Sequence, residues 1–338
     1  MSRVVRRTVY VTRKFPGLGL AMLAKECDVT LNKNSSPPTK GDMLKNIAGK
    51  DAILCMLSDG IDAEIIEAAG PALKVISSYS TGFEHIDVKE ATRRGVYVTY
   101  TADILAEATA DLAFALLLAC ARNIVIGDRL VRKNNWRVGW TPDLMLGREV
   151  HGATLGIIGL GKIGSAVARR ARGFGMKILY HSRTRNQQLE QELDLRYCDL
   201  DDLLAQSDFV SIHTTLDSST RHLIDMSRLR KMKKTGILIN TSRGQVVNER
   251  DLTTALKTNV IAGAGLDVFE REPLPSSSSL ARLDNAVLLP HIGSATTETR
   301  SKMGEVAARN ILDVFNGREP EPAFLVNPGA RGAASHQR

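Results

Sequence analysis

Short apolar runs alternate with amphipathic, helix-like stretches along most of the chain. In the first hundred residues the runs are TVYVT (8–12), DAILCML (51–57), KVISSYS (74–80) and VYVTY (96–100), with stretches such as AEIIEAAG between them. This alternation predicts βαβ units, because a parallel strand is reached only through a crossover connection. A long helix over about 104–122, opening after a cap region at Thr101, then breaks the rhythm. A second block follows, with strands predicted at ATLGIIG (153–159), MKILYH (176–181), FVSIHT (209–214), GILINTS (236–242), AGAGLDV (262–268) and AVLLPHI (286–292). These runs are almost continuously apolar, as strands covered on both faces should be. A helix after 295 is expected to return to the first block, since the second sheet is complete by then. The pattern predicts an α/β protein of two Rossmann-like domains with doubly wound parallel sheets and an active site in the interdomain cleft. The first domain spans 1–103 and is completed by 296–327; the second spans 104–295; residues 328–338 read as a flexible tail.

Composition narrows the class without changing that picture. A chain of 338 residues suits two domains of ordinary size, and 43% hydrophobic with 24% charged residues is a globular composition. The most apolar stretch, ILAEATADLAFALLLACAR (104–122), is interrupted by Glu107 and Asp111, so no membrane span is expected. The formal charge of +8 resides at the ends: Arg3, Arg6, Arg7, Arg13, Lys14 and Lys25 precede the first acid, and Arg331 and Arg338 close the chain. Those eight account for the whole excess, so the body lacks the basic stripe of a nucleic-acid groove. The acid-poor start resembles a transit peptide, but TVYVT follows too soon to leave more than a short arm. The expected location is cytoplasmic, with mitochondrial import as the alternative. Cys27, Cys55, Cys120 and Cys198 form no CxxC, which points to reduced thiols and no metal site.

The chemistry lies at the strand ends of the second block. LGIIGLGKIG (155–164) carries G-x-G-x-x-G at Gly159, Gly161 and Gly164, with Lys162 and Ile163 between the last two. It follows a strand and opens a helix, the context in which the pattern binds a dinucleotide. The first glycine makes the turn, the second admits the pyrophosphate, and the third lets helix and strand close up. An acid is then expected at the end of the next strand, to hold the ribose diol. None appears there: the first acid after the glycines is Glu190, and the strand end reads Ser182, Arg183, Thr184, Arg185. Without the repelling carboxylate, and with guanidinium groups able to fork onto phosphate oxygens, this pocket suits the 2′-phosphate of NADP(H). Arg243 in NTSRGQVV, Glu272 in DVFEREPLP and His291 in LLPHIGSA lie at or just past later strand ends. A guanidinium, a carboxylate and an imidazole converging there would suit carbonyl reduction. The imidazolium would donate the proton, the carboxylate would orient it and favour its charged form, and the arginine would polarise the carbonyl and bind an acid group.

GLGKIG, NTSRGQVVNERDL, GAGLDVFEREPLP and LLPHIGSAT together resemble the D-isomer-specific 2-hydroxyacid dehydrogenases, from about residue 8 to 327. Within that family the chain looks most like the glyoxylate/hydroxypyruvate reductases. The resemblance implies that Arg243 is the substrate-binding and catalytic arginine, Glu272 the partner of His291, and His291 the acid/base. It also implies that SSYSTGFEHID (77–87) is a carboxylate-binding turn acting through backbone amides near Thr81 and Gly82. Asp267 and Gly293 would meet the nicotinamide carboxamide, and Thr241, Thr214 and Thr215 would line the cofactor. Trp136 and Trp140 match a segment that in similar reductases reaches the active site of a dimer partner; the other reading is that both pack the arm between the domains. One departure is Thr215, where relatives often have proline, which leaves that loop's rigidity open.

The combined reading is an NADPH-dependent, homodimeric 2-oxoacid reductase acting on glyoxylate and hydroxypyruvate, with no nucleic-acid or membrane partner. Its rivals are an NAD-linked 2-hydroxyacid dehydrogenase of other specificity and a corepressor-like, cofactor-sensing protein on the same fold.

Overall fold

The computed structural model describes residues 6–330. Two compact units emerge, one running to Leu105 and resuming at Ser294, the other Ala106–Gly293.

The first unit holds β1 (Arg7–Val11), β2 (Cys27–Leu31), β3 (Ala52–Met56), β4 (Val75–Tyr79) and β5 (Tyr97–Thr99). They form a parallel sheet in the order β2-β1-β3-β4-β5. Both faces are covered, which is why the runs read as continuously apolar. Val9, Val11, Leu54 and Val75 pack with Ala307, Ile311 and Val314 of the helix Thr297–Phe315. On the other face Tyr10, Ile53, Ile76 and Val98 pack with Ile47, Ile65 and Ile66. Side-chain caps start the connecting helices: Thr39 and Asp42 form a capping box, and Asp62 accepts from the Ile65 N–H. The expectation of a loose tail from residue 328 is corrected at Ala330, and Asn327, just before that tail, is anchored as the sequence reading had it. Asn327 is buried, its Oδ1 accepting from the Val98 N–H at 2.7 Å and its Nδ2 donating to Val96 O at 3.0 Å, and Ala330 is fully buried. The remainder of that predicted tail, like most of the basic arm before β1, lies outside the described residues.

The second unit holds β6 (Thr154–Ile158), β7 (Lys177–His181), β8 (Leu195–Tyr197), β9 (Phe209–Ile212), β10 (Ile237–Asn240), β11 (Gly263–Leu266) and β12 (Ala286–Leu288). Their parallel order is β12-β11-β10-β9-β6-β7-β8. The order reverses between β6 and β9, and the carboxyl ends of those strands frame the crevice where such sheets bind ligands. β2 and β8 were not legible as strands. Both are edge strands, and in CDVTL and LRY a single residue each is buried.

The predicted long helix opens as a 3₁₀ turn, Ala102–Leu105, and continues as Ala106–Ala121. By length and composition alone the stretch Ala102–Ala121 could cross a membrane, even with Glu107 and Asp111 in it. In the second unit it is a core helix: Phe114, Leu116 and Leu117 are buried in the sheet's cluster. The interrupting acids have a partner, since Arg170 pairs with Glu107 at 2.8 Å and Asp111 at 2.6 Å. The helix Ile124–Arg132 that follows buries no residue. Ile124, Val131, Trp136, Val138, Trp140 and Leu146 are all exposed.

Candidate active site

β6 delivers the chain into the glycine loop. Gly159 has φ +94°, a conformation that strains any side chain, and a Cβ there would lie 2.7 Å from His213 O. A Cβ on Gly164 would collide with the Gly159 carbonyl, so the helix can seat on the strand only without one. Gly161 faces open space and caps the helix Lys162–Gly173 without a side-chain bond. The first N–H groups of that helix are therefore available to an anion, favoured by the helix dipole. Lys162 is exposed, whereas Ile163 tucks against the core.

The loop borders a cavity of about 460 Å³ lined by Gly159, Gly161, His181, Ser182 to Asn186, Thr214, Thr215 and Thr220, among others. The structure thus gathers the glycines, the β7 rim and the β9 loop around one space. It also brings two carboxylates to the rim. Arg185 makes a two-pronged pair with Glu190, Nε and Nη2 each donating over 2.8 Å, and its guanidinium lies 5.8 Å from the Tyr197 ring centroid. Glu190 also accepts from the Tyr180 hydroxyl at 2.5 Å. These bonds to Arg185 and then Tyr180 hold the Glu190 carboxyl down at about 2. Arg183 reaches Asp217 at 3.1 Å. Thr215, the non-proline position, sits in a loop tied by hydrogen bonds: Thr220 Oγ1 donates to Thr215 O at 2.7 Å, and Asp217 Oδ1 accepts from the Ser219 N–H at 2.8 Å. Side-chain bonding supplies the restraint that a proline ring would give.

The three reactive groups sit past β10, β11 and β12. Asn240, almost fully buried, shapes the turn at Arg243: its Oδ1 accepts from the Ser242 N–H at 3.0 Å and its Nδ2 donates to Arg243 O at 3.0 Å. Glu272 Oε1 accepts from the Phe269 N–H at 3.0 Å, and Glu272 Oε2 lies 2.7 Å from His291 Nδ1. Burial alone would raise the Glu272 carboxyl. The His291 bond and charge, the Phe269 N–H and the Arg243 charge outweigh it and hold Glu272 below its ordinary value. Holding Nδ1 leaves Nε2 as the imidazole atom able to face a substrate. His291 itself has φ +55°, rare for a non-glycine residue, and such strain concentrates at functional positions.

Asp267 supports this segment from below. Its backbone carbonyl accepts from the His291 N–H at 2.9 Å, and its carboxylate accepts from the Ile292 and Gly293 N–H groups at 2.8 Å each. Burial dominates and raises the Asp267 carboxyl. Buried side-chain atoms without a partner among the described residues include Thr241 Oγ1, Thr109 Oγ1 and His213 Nδ1. A Cβ on Gly293 would come 3.3 Å from both Thr109 Oγ1 and Asp267 Oδ2. Open polar groups at Thr241 and His213, with the bare helix start at Gly161, fit a dinucleotide. Thr109 and His213 were missed from sequence. The end of β9 was a signal for His213, while nothing local marked Thr109. Burial pushes the His213 imidazole down to about 3, so it stays neutral.

Thr81 and Gly82 lie at the end of β4 in the first unit. Ser80 Oγ donates to Gly82 O and lies 2.8 Å from Ser78 Oγ. Trp140 is 82% exposed, and no packed arm encloses it in the protomer. Among the described residues no group of three or more His, Cys, Asp or Glu is placed to hold a metal.

The chain is similar to several known proteins. Residues 114–293 match the family described as D-isomer specific 2-hydroxyacid dehydrogenase, NAD binding domain. A glyoxylate reductase of Korarchaeum cryptofilum is 50% identical over 312 residues, covering 92% of this chain and 94% of that one. A Thermus thermophilus protein of known structure is 44% identical, with a TM-score of 0.89 over 95% of this chain and 100% of that one. An NADPH-dependent glyoxylate/hydroxypyruvate reductase of Sinorhizobium meliloti, solved with NADP and malonate, is 30% identical. It has a TM-score of 0.82 over 96% of this chain and 99% of that one.

Proposed function

The chain belongs to the D-isomer specific 2-hydroxyacid dehydrogenase family of NAD(P)-linked oxidoreductases, and from that premise we propose that it reduces glyoxylate and hydroxypyruvate with NADPH. The products would be glycolate and D-glycerate. The observation that carries the reading is the 2.7 Å Glu272–His291 contact beside Arg243. The reduced nicotinamide supplies the hydride that goes to the keto carbon. His291 Nε2 gives a proton to the keto oxygen, Glu272 holds the imidazolium through Nδ1, and Arg243 polarises the carbonyl and draws the substrate carboxylate. The Thr81–Gly82 turn is proposed to bind that carboxylate through its amides. Gly159 to Gly164 would hold the pyrophosphate. Thr214, Thr215, Thr241, Asp267 and Gly293 would line the cofactor, and Ser182 to Arg185 would meet the 2′-phosphate. A cytoplasmic location completes the proposal.

The rim arginines support NADPH because both guanidinium groups are exposed to solvent, which weakens their pairs with Glu190 and Asp217. A doubly charged phosphate competes well against pairs of that strength. Charge-assisted bonds of roughly 1.5–3 kcal/mol each predict a preference for NADPH over NADH of about tenfold or more in kcat/KM. Arg183→Ala with Arg185→Ala should erase that preference through a higher KM for NADPH, leaving NADH kinetics nearly unchanged. Equal use of both cofactors by the unaltered enzyme would favour a second reading, an NAD-linked dehydrogenase. The Arg185–Glu190 and Arg183–Asp217 pairs are the specific observation on its side.

The exposed apolar side chains from Ile124 to Leu146 support a homodimer through this arm, with Trp140 covered by the partner. Light scattering at micromolar concentration should give twice the chain mass. A monomer would leave Trp140 a solvent-facing side chain with no part in the site.

A further inference from the structure

Three loops of the second unit are joined by a set of bonds that none of the roles above uses. The Arg243 turn continues through the 3₁₀ turn Gly244–Val246 into the helix Glu249–Lys257. The Glu272 loop crosses it so closely that a Cβ on Gly244 would overlap the Phe269 carbonyl group. Beyond that contact the two segments exchange bonds. The Glu249 N–H donates to Glu270 Oε1 at 3.0 Å, and the Glu270 N–H donates to Glu249 Oε2 at 3.1 Å. Gln245 Nε2 donates to Glu270 O at 2.9 Å. The third loop joins through His222, whose N–H donates to Gln245 O at 2.8 Å and whose Nε2 lies 2.9 Å from Glu270 Oε1.

This arrangement is costly. Burial raises the Glu249 carboxyl; the bond from the Glu270 N–H works against this, and the Glu270 charge adds repulsion between like groups. Apolar residues would join two loops without that penalty. What apolar packing lacks is direction: a reciprocal carboxylate–amide exchange sets the spacing and angle of both backbones at once. One of those backbones carries Arg243. The other carries Glu272, two residues past Glu270.

We propose that Glu249 and Glu270 are positioning residues: their reciprocal bonds lock the Arg243 turn to the Glu272 loop, so that the guanidinium and the Glu272–His291 pair address one substrate in a fixed mutual geometry. Neither carboxylate touches the substrate. A plainer role, capping the first N–H groups of the helix Glu249–Lys257, predicts an effect on stability alone. The proposal predicts an effect on kinetics per active site, since a misplacement near 1 Å can cost on the order of 10²-fold.

The inference rests on the reading of Arg243, Glu272 and His291 as the reducing site. The test is therefore steady-state glyoxylate reduction by Glu270→Ala, Glu270→Gln and Arg243→Ala, with active sites counted by NADPH fluorescence titration. Glu270→Ala should raise the glyoxylate KM and lower kcat per site, for a combined loss of roughly tenfold or more, with the KM for NADPH unchanged. Glu270→Gln keeps an acceptor for the Glu249 N–H and should stay within about threefold of the unaltered enzyme. If Glu270→Ala loses only active sites while glyoxylate KM and per-site kcat hold, the role is capping and the proposal falls. A Gln variant as impaired as the Ala variant would also overturn it, by placing the effect in the charge facing His222. Should Glu270→Ala fail to fold, Glu249→Ala removes only the acceptor for the Glu270 N–H and must show the same KM and kcat pattern. If Arg243→Ala retains full activity, the underlying site reading is what has failed. If Arg243→Ala is inactive and the Glu270 variant normal, only the lock has failed.

Discussion

Replacing His291 with alanine is expected to remove about 10²–10⁴-fold of turnover while NADPH binding stays close to normal. In the proposed mechanism the imidazole gives the proton: its Nδ1 is engaged by Glu272 at 2.7 Å, which leaves Nε2 to face the substrate. His291 does not line the glycine cavity, so cofactor binding, read by fluorescence titration, should survive. The substitution also changes Glu272, and the sign can be worked out. In the intact protein Glu272 is held below its ordinary value, so it contributes stability above that value and loses it as pH falls through the lowered one. Without the imidazole the Glu272 carboxyl loses the largest of the influences that lower it, with the Phe269 N–H and the Arg243 charge left against burial, so this contribution to stability shrinks in the variant. The difference in Tm between the two proteins should therefore be smallest in acid and widen on going to neutral pH. Turnover like that of the unaltered enzyme in a folded variant would remove His291 from the mechanism. A pH-independent Tm difference would mean that the two side chains do not interact in solution.

Arg243→Ala is expected to lower kcat by roughly 10²–10³-fold and to raise the KM for glyoxylate as well. A donor aimed at developing oxygen charge acts mainly in the transition state, while its attraction for the substrate carboxylate acts in the ground state, so both constants should move. Arg243→Lys should recover only part of the loss, because an ammonium lacks the planar fork that meets two oxygens. Loss of kcat with no change in substrate KM would restrict Arg243 to the chemical step. Unchanged kcat with a raised KM would make it a binding residue only.

How far these roles were legible along the chain depended on how local each requirement is. Gly159, Gly161 and Gly164 were readable because a tight turn, an open approach and a close helix contact are needs of the backbone at single positions. The apolar strands of both sheets were readable because burial on two faces leaves continuous runs. Arg243, Glu272 and His291 stood out because strand ends on a doubly wound sheet share one side, so three unconnected motifs predicted one locus. β2 and β8 escaped because an edge strand need bury only one residue. The stretch Ala102–Ala121 is long and apolar enough to cross a membrane by composition, and only its packing on the sheet and the Arg170 pairs place it inside the unit. The tail read as loose from its small and polar residues, yet Ala330 is fully buried beyond Asn327, whose Oδ1 accepts from the Val98 N–H of an edge strand.

The sequence by itself determined that two parallel sheets form, that one of them carries a dinucleotide loop, and that Arg243, Glu272 and His291 fall at successive strand ends, which is where the proposed mechanism takes its groups from. Tertiary structure alone decided the charge at the ribose rim. The stretch after β7 reads as two arginines without an acid, but folding brings Asp217 from the loop after β9 onto Arg183, while Glu190, five residues past Arg185, is turned back onto it by the short helix Gln187–Leu193. It also decided the Glu249–Glu270 exchange and left Thr109 Oγ1 and His213 Nδ1 without a partner among the described residues. For the long-range pairs Arg183–Asp217 and Glu249–Glu270 the physical reason is common. Turns, caps and burial patterns are energetic preferences of a few neighbouring residues and leave a local trace. A pairing between charges far apart along the chain gains its energy only after the crossovers have set both ends within a few ångströms, so its partners carry no mark in their own neighbourhoods.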